Sequence, residues 1–203
     1  VTGSELVGLI PKSALIDAGK YYLKKQGRSL GVSESDILEC AVQSLGLNDV
    51  SKFNSREKII EFAIEDKKDS LLHLSTDDLI QSISQNSPAP GGGSVSALAG
   101  ALGAALLSMV SLLTYDKKEY FSRRTKMSRL GEMAHEYQKR LKELVDEDTK
   151  AFDSVMDASR LPEKAKSDIK FKKQELLKAY KIATDTPLEI ATLSLEIIKL
   201  SID

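Results

Sequence analysis

Pro88-Ala89-Pro90-Gly91-Gly92-Gly93-Ser94 runs directly into Val95-Ser96-Ala97-Leu98-Ala99-Gly100-Ala101-Leu102-Gly103-Ala104-Ala105-Leu106, and the apolar run continues to about Thr114. The first seven residues form the strongest break in the chain, because prolines stiffen the approach and glycines open conformations closed to other residues. The run that follows is long enough for a helix from Ser94 to about Thr114. Length alone would also let it span a bilayer. Its apolar count, however, is swollen by alanines and interrupted by Gly100, Gly103 and several serines, which insert poorly. Each interior glycine costs roughly 1 kcal/mol relative to alanine. Something must offset that cost. Gly100, Ala104 and Ser108 share one helical row, and Ala97, Ala101 and Ala105 share another, so a second backbone can come close on either row. With Leu98, Leu102, Leu106 and Met109 elsewhere, this helix is expected to be buried almost all round, as the centre of a bundle and not as a membrane segment.

The pattern stays helical C-terminal to this run. A helix from about Thr125 to Ser159 turns Leu130, Met133, Tyr137, Leu141, Leu144 and Val145 inward, with a break at Leu161-Pro162. Two more helices are expected, over about 163–184 and 187–201, separated at Pro187. On the N-terminal side, Thr76 to about Ser84 reads as a short helix with Leu79, Ile80 and Ile83 inward. Before it, Glu65-Asp66-Lys67-Lys68-Asp69-Ser70 reads as a linker or as the solvated last turn of a helix.

The first unit is smaller. Leu6-Val7-Gly8-Leu9-Ile10 is the one strand candidate, ended by Pro11. Lys12 to about Gln26 follows as a helix with Leu15, Ala18, Tyr22 and Leu23 on one face. Ser33 with Asp36 opens a second helix, which carries Ile37, Leu38, Ala41, Val42 and Leu45 and stops at Gly46. Asn54 or Ser55 can cap a third, with Ile59, Ile60, Ala63 and Ile64 inward. The fold class is mainly α: a helical bundle over 70–203, preceded over 1–69 by a small α-rich subdomain with at most one short strand. Val1 in place of Met, and an apolar pattern that continues through Ile202, read as the ends of a fragment.

The composition sets limits on function. The 203 residues carry 29 Lys and Arg against 30 Asp and Glu, a net charge of −1. Near neutrality argues against a partner bound through phosphate neutralisation, so no nucleic acid is expected. A 41% hydrophobic content excludes a disordered chain. Cys40 is the single cysteine, which rules out an intrachain disulfide and multi-cysteine metal sites and suits a reducing, cytoplasmic compartment. His73 and His135 lie far apart, with no ligand-spaced partner, so no metal is expected.

Two features carry chemistry. Gly91, Gly92, Gly93 and Ser94 open a helix whose first-turn N–H groups and dipole suit an anion. No Gly-Lys-Ser/Thr follows, and the G-x-G-x-x-G spacing is missing, so neither nucleotide fingerprint is present. The plainer reading is a flexible turn capped by Ser94. The second feature is Asp148, which falls on the apolar face three residues after Val145 and four before Phe152. An acid in such surroundings either finds a donor or is pushed toward its neutral form, and both outcomes can serve proton transfer. The plainer reading is an acid bonded to a neighbouring helix terminus. Arg123-Arg124-Thr125-Lys126 reads as a solvated turn, with a role in gathering an anionic substrate as the alternative.

Together these residues resemble a known family. Pro88 to Val95, Gly100 to Leu106 with Met109-Val110, Leu144-Val145-Asp146-Glu147-Asp148 with Ala151-Phe152, Arg160-Leu161-Pro162 and Thr186-Pro187-Leu188 are similar to formiminotetrahydrofolate cyclodeaminases. Thr2 to Pro11, Phe53 and Lys58-Ile59-Ile60-Glu61 resemble the late part of a glutamate formiminotransferase. The whole chain is similar to the junction of a bifunctional formiminotransferase–cyclodeaminase. The resemblance implies closure of 5-formiminotetrahydrofolate to 5,10-methenyltetrahydrofolate with release of ammonia, in histidine breakdown, with a tetrahydrofolate derivative as substrate. It matches Asp148 to the family's proposed catalytic aspartate, and the glycine loop would hold part of the folate. A homo-oligomer is expected. The transferase's catalytic histidine has no counterpart here, so no transferase activity is expected of this stretch. Two rival readings remain: a methenyltetrahydrofolate cyclohydrolase on the same fold, and a non-catalytic helical assembly module.

Overall fold

The computed structural model describes residues 4–64, 70–163 and 165–202. It is built of helices, and among the described residues the only β pairing is a single parallel bridge between Ile10 and Ile59. Two compact units can be distinguished. One combines the described residues before 65 with Leu107–His135, and the other combines 70–106 with those from Glu136 on. Of the charged stretch 65–70 read as a linker, all but Ser70 lies outside the described residues, as does the expected boundary at 69.

In the first unit, α1 (Lys12–Lys25) buries Leu15, Gly19 and Leu23, and α2 (Glu34–Ser44) buries Ile37, Leu38, Cys40, Ala41 and Val42. Ser33 caps α2, its hydroxyl accepting the Asp36 N–H at 3.1 Å. The two helices meet at Gly19, where a Cβ would overlap the Ile37 carbonyl. Leu15, Leu38, Ala41, Val42, Leu47 and Ile59 form the core between them.

The expected third helix is split. α3 (Ser55–Lys58) and α4 (Ile60–Ala63) flank an extended Ile59, whose neighbours hydrogen-bond Ile10 on both sides: the Ile10 N–H donates to the Lys58 carbonyl at 2.9 Å and the Ile60 N–H to the Ile10 carbonyl at 3.1 Å. Ile59 is therefore fully buried, while Ala63 and Ile64, expected inward, are exposed. The strand candidate at 6–10 contributes only this bridge.

In the second unit, α5 (Thr76–Ile83) is capped by Ser75, and its Ile80, expected inward, is exposed. Three long helices follow, α6 (Gly92–Tyr115), α7 (Arg124–Ser159) and α8 (Lys166–Ile202), of which the end of α6 from Leu107 and the start of α7 up to His135 belong to the first unit. The last replaces the two helices expected around Pro187, which sits inside a continuous helix. The hydroxyls of Thr184 and Thr186 bond back to the carbonyls of Tyr180 and Ile182, in the turn where proline disturbs the ladder.

Gly100 is a contact point of α6, since a Cβ there would lie 2.9 Å from Ser194 Oγ and 3.2 Å from Leu141 Cδ1. The expectation that α6 is buried almost all round is corrected by the structure. One face is inside, with Ser94, Ala97, Ala101 and Ala104 nearly solvent-free, whereas Leu102, Leu106, Met109 and Leu113 are 49–60% exposed. Small residues let neighbouring backbones come close, and that same closeness leaves no depth for leucines on the opposite face. By length and composition this helix could cross a membrane.

Candidate functional site

The glycine loop and Asp148 meet. α6 starts at Gly92, and within its first turn Ser94 lies against the middle of α7. The Ser94 N–H donates to Asp148 Oδ2 at 2.9 Å, and the Ser94 hydroxyl lies 3.3 Å from the same oxygen. That hydroxyl also donates to the Val145 carbonyl at 2.8 Å and lies 3.1 Å from Thr149 Oγ1. Asp148 is half-buried and Ser94 buried.

Gly93 makes the approach possible. A Cβ on it would overlap the Asp148 carboxyl carbon and both oxygens, so only glycine leaves the acid room. At Gly91 a Cβ would sit an unstrained 3.4 Å from the Pro88 carbonyl, and at Gly92 it would meet open space. The three glycines are thus not equivalent. The first turn of α6, expected to attract an anion, has one from its own chain, since a carboxylate is favoured at this end of a helix both by the N–H and by the dipole. Asp148 has found a donor, the first of the two outcomes its position allowed.

Around the acid, α7 presents charges to other partners. The Asp146 carboxylate accepts the Leu71 N–H at 2.8 Å. Arg140 makes paired hydrogen bonds to two carboxylates, reaching Glu189 on α8 at 2.6 and 2.8 Å and Glu147 on its own helix at 2.7 and 3.0 Å. These bonds hold the Glu189 carboxyl below the ordinary carboxylate value and push the guanidinium further up. Because the Glu189 value is lowered on folding, its stabilisation is complete above the unfolded value of 4.5 and disappears as pH falls through the lower folded one. Both side chains are more than a third exposed, which limits the pair to about 1 kcal/mol.

The other polar candidates lie elsewhere. His135 Nε2 is 2.8 Å from the buried Ser108 Oγ, and His73 belongs to the 3-10 turn Leu71–His73. Arg124 stacks on Phe121 and Tyr115, 4.0 and 4.9 Å from the ring centres, and its Nε–H donates to the Tyr115 carbonyl. Among the described residues no group of three or more His, Cys, Asp or Glu side chains is placed to hold a metal ion. Thr149 was not singled out by its sequence. Its only signal was adjacency to the acid, on the same inward-turning stretch of α7.

Two family models match the chain, one described as formiminotransferase-cyclodeaminase over residues 75–203 and one as the formiminotransferase domain over residues 1–65. The formimidoyltransferase-cyclodeaminase of Gallus gallus is 35% identical over 195 residues, covering 94% of this chain and 36% of that protein. The methenyltetrahydrofolate cyclohydrolase of Methylorubrum extorquens is 34% identical over 122 residues, 60% of this chain and 59% of that protein. A solved formiminotetrahydrofolate cyclodeaminase from Thermotoga maritima superposes with a TM-score of 0.46 at 24% identity, over 64% of this chain and 76% of that one. The chain spans about a third of the length of the curated formimidoyltransferase-cyclodeaminases it matches. With one model covering well over half of its residues, the chain belongs to the formiminotransferase-cyclodeaminase family.

Proposed function

We propose that this chain carries the cyclodeaminase site of a folate-dependent one-carbon enzyme, in which 5-formiminotetrahydrofolate closes to 5,10-methenyltetrahydrofolate and ammonia leaves. The observation that carries this reading is Asp148, a lone carboxylate set on the inward face of α7 against the glycine turn. Folate N10 bonds to the carbon of the protonated amidine (=NH2+) and gives up its proton. The bond from that carbon to the departing nitrogen breaks once that nitrogen has gained a proton, so that ammonia and the methenyl cation form. One carboxylate can accept the first proton and deliver the second. Gly91, Gly92 and Gly93 form the wall over which the folate lies, and no metal takes part. Residues 1–69 are then the end of a transferase domain and 70–203 the cyclodeaminase. In this reading the enzyme serves histidine breakdown in the cytoplasm, a compartment that the free, buried Cys40 supports.

Asp148→Asn in the intact protein tests the assignment. Ammonia release should fall by about 10²–10⁴-fold while folate still binds by calorimetry. Ammonia release at the parent rate would remove Asp148 from the chemistry.

The cyclohydrolase relative favours a second reading, hydrolysis of 5,10-methenyltetrahydrofolate on the same scaffold. The transferase-like residues 1–65 favour the cyclodeaminase, since a transferase makes the formimino substrate. Offering the intact protein each folate separately distinguishes the two.

The protein works as a homo-oligomer in this reading. Val95, Leu102 and Leu106 on α6 and Leu188, Leu195, Ile198 and Ile202 on α8 are exposed at spacings of three, four and seven, the stripe that a facing helix covers. A monomer in sedimentation at micromolar concentration would contradict this.

A further inference from the structure

We infer that Ser94 is the positioning residue for Asp148 and not a contact for the folate, an inference that rests on Asp148 being the proton-transferring group. A serine hydroxyl has one proton to give and two lone pairs to offer. In Ser94 the proton is shared between the Val145 carbonyl at 2.8 Å and Asp148 Oδ2 at 3.3 Å, and Thr149 Oγ1 stands 3.1 Å away to use a lone pair. The backbone N–H is committed to Asp148 Oδ2. At 3% exposure, and with its proton spent inside the protein, the side chain has almost no surface with which to reach a ligand.

What Ser94 does reach is the acid. Both of the described hydrogen bonds to the Asp148 carboxylate end on Oδ2, and both come from Ser94. The hydroxyl and amide together fix the rotation of the carboxyl group. Both oxygens lie beside Gly93, where a side chain of any size would displace them, and the nearer one, Oδ1, takes no hydrogen bond from Ser94. Oδ2 is the tethered oxygen and Oδ1 the one presented at the glycine turn, where the reacting nitrogens would lie. A carboxylate held this way needs no reorientation during proton transfer, and a misplacement of about 1 Å can cost about 100-fold in rate.

The test is steady-state ammonia release by the intact protein. Ser94→Ala should lower kcat about tenfold or more and leave KM for 5-formiminotetrahydrofolate within about twofold, because positioning is lost while binding is kept. Ser94→Thr, which retains the hydroxyl, should recover kcat to within about threefold of the parent. A raised KM at unchanged kcat would make Ser94 a substrate contact and overturn the inference, as would a Ser94→Ala protein with parent kinetics. Where circular dichroism shows that Ser94→Ala does not fold, Ser94→Cys, close in volume and a weak donor, replaces it under the same criterion. Activity retained in Asp148→Asn would instead bring down the cyclodeaminase assignment itself, whatever the Ser94 variants do.

Discussion

Gly31 and Gly93 solve the same steric problem for opposite ends. At Gly31, in the first unit, a Cβ would meet three backbone atoms: Gly131 Cα at 2.7 Å, the Ser128 carbonyl oxygen at 2.8 Å and the Glu132 nitrogen at 3.0 Å. Main chain lies on main chain, tied beside the contact by the Leu30 N–H donating to Ser128 Oγ at 2.9 Å. At Gly93, in the second unit, the three atoms nearest to a Cβ would all belong to the carboxylate of Asp148. The first glycine makes room for packing, and the second makes room for a reactive group. A glycine's importance is therefore read from what occupies the missing side chain's place, and backbone cannot yield where a side chain can turn.

Substitutions can break that contrast. The largest effect is expected from Gly31→Ala, which forces main chain apart. Such overpacking costs about 2–3 kcal/mol, and the Tm should fall by roughly 5–10 °C in a thermal melt. A Tm within a degree of the parent would show that the contact relaxes freely. Gly93→Ala comes next and acts on rate. The carboxyl group swings away from the new methyl, kcat for ammonia release should drop about tenfold, and Tm should move little because alanine favours the helix by about 1 kcal/mol. A large fall in Tm with kcat preserved would place Gly93 in the same class as Gly31. The smallest effect belongs to Gly92→Ala, where a Cβ meets nothing and Tm should stay level or rise by a degree or two.

The parts legible in the sequence were those written in local spacing. The inward slot of Asp148, the break at Pro88 to Gly93 and the helical periods all sit within one or two turns of chain. The union of Ser94 with Asp148 joins residues 54 apart, and no period encodes such a distance. The pairing of Gly31 with Gly131 was invisible for the same reason. Ile59 misled because an isoleucine in a helical pattern looks the same whether helix or a lone bridge buries it. Pro187 misled because a proline removes a single ladder bond, and a helix of 37 residues runs on through it. The exposed leucines of α6 misled because apolar character states a preference for cover without stating what supplies it.

The carboxylate on the first turn of α6 holds two posts at once. In the proposed reaction it gains a proton in each cycle, and a protonated acid is a poorer acceptor for the amide it ties down. Every turnover would then briefly slacken the start of the helix and draw it tight again. The Ser94 amide resonance would thereby become a native reporter of the chemical step, readable by NMR without any added label.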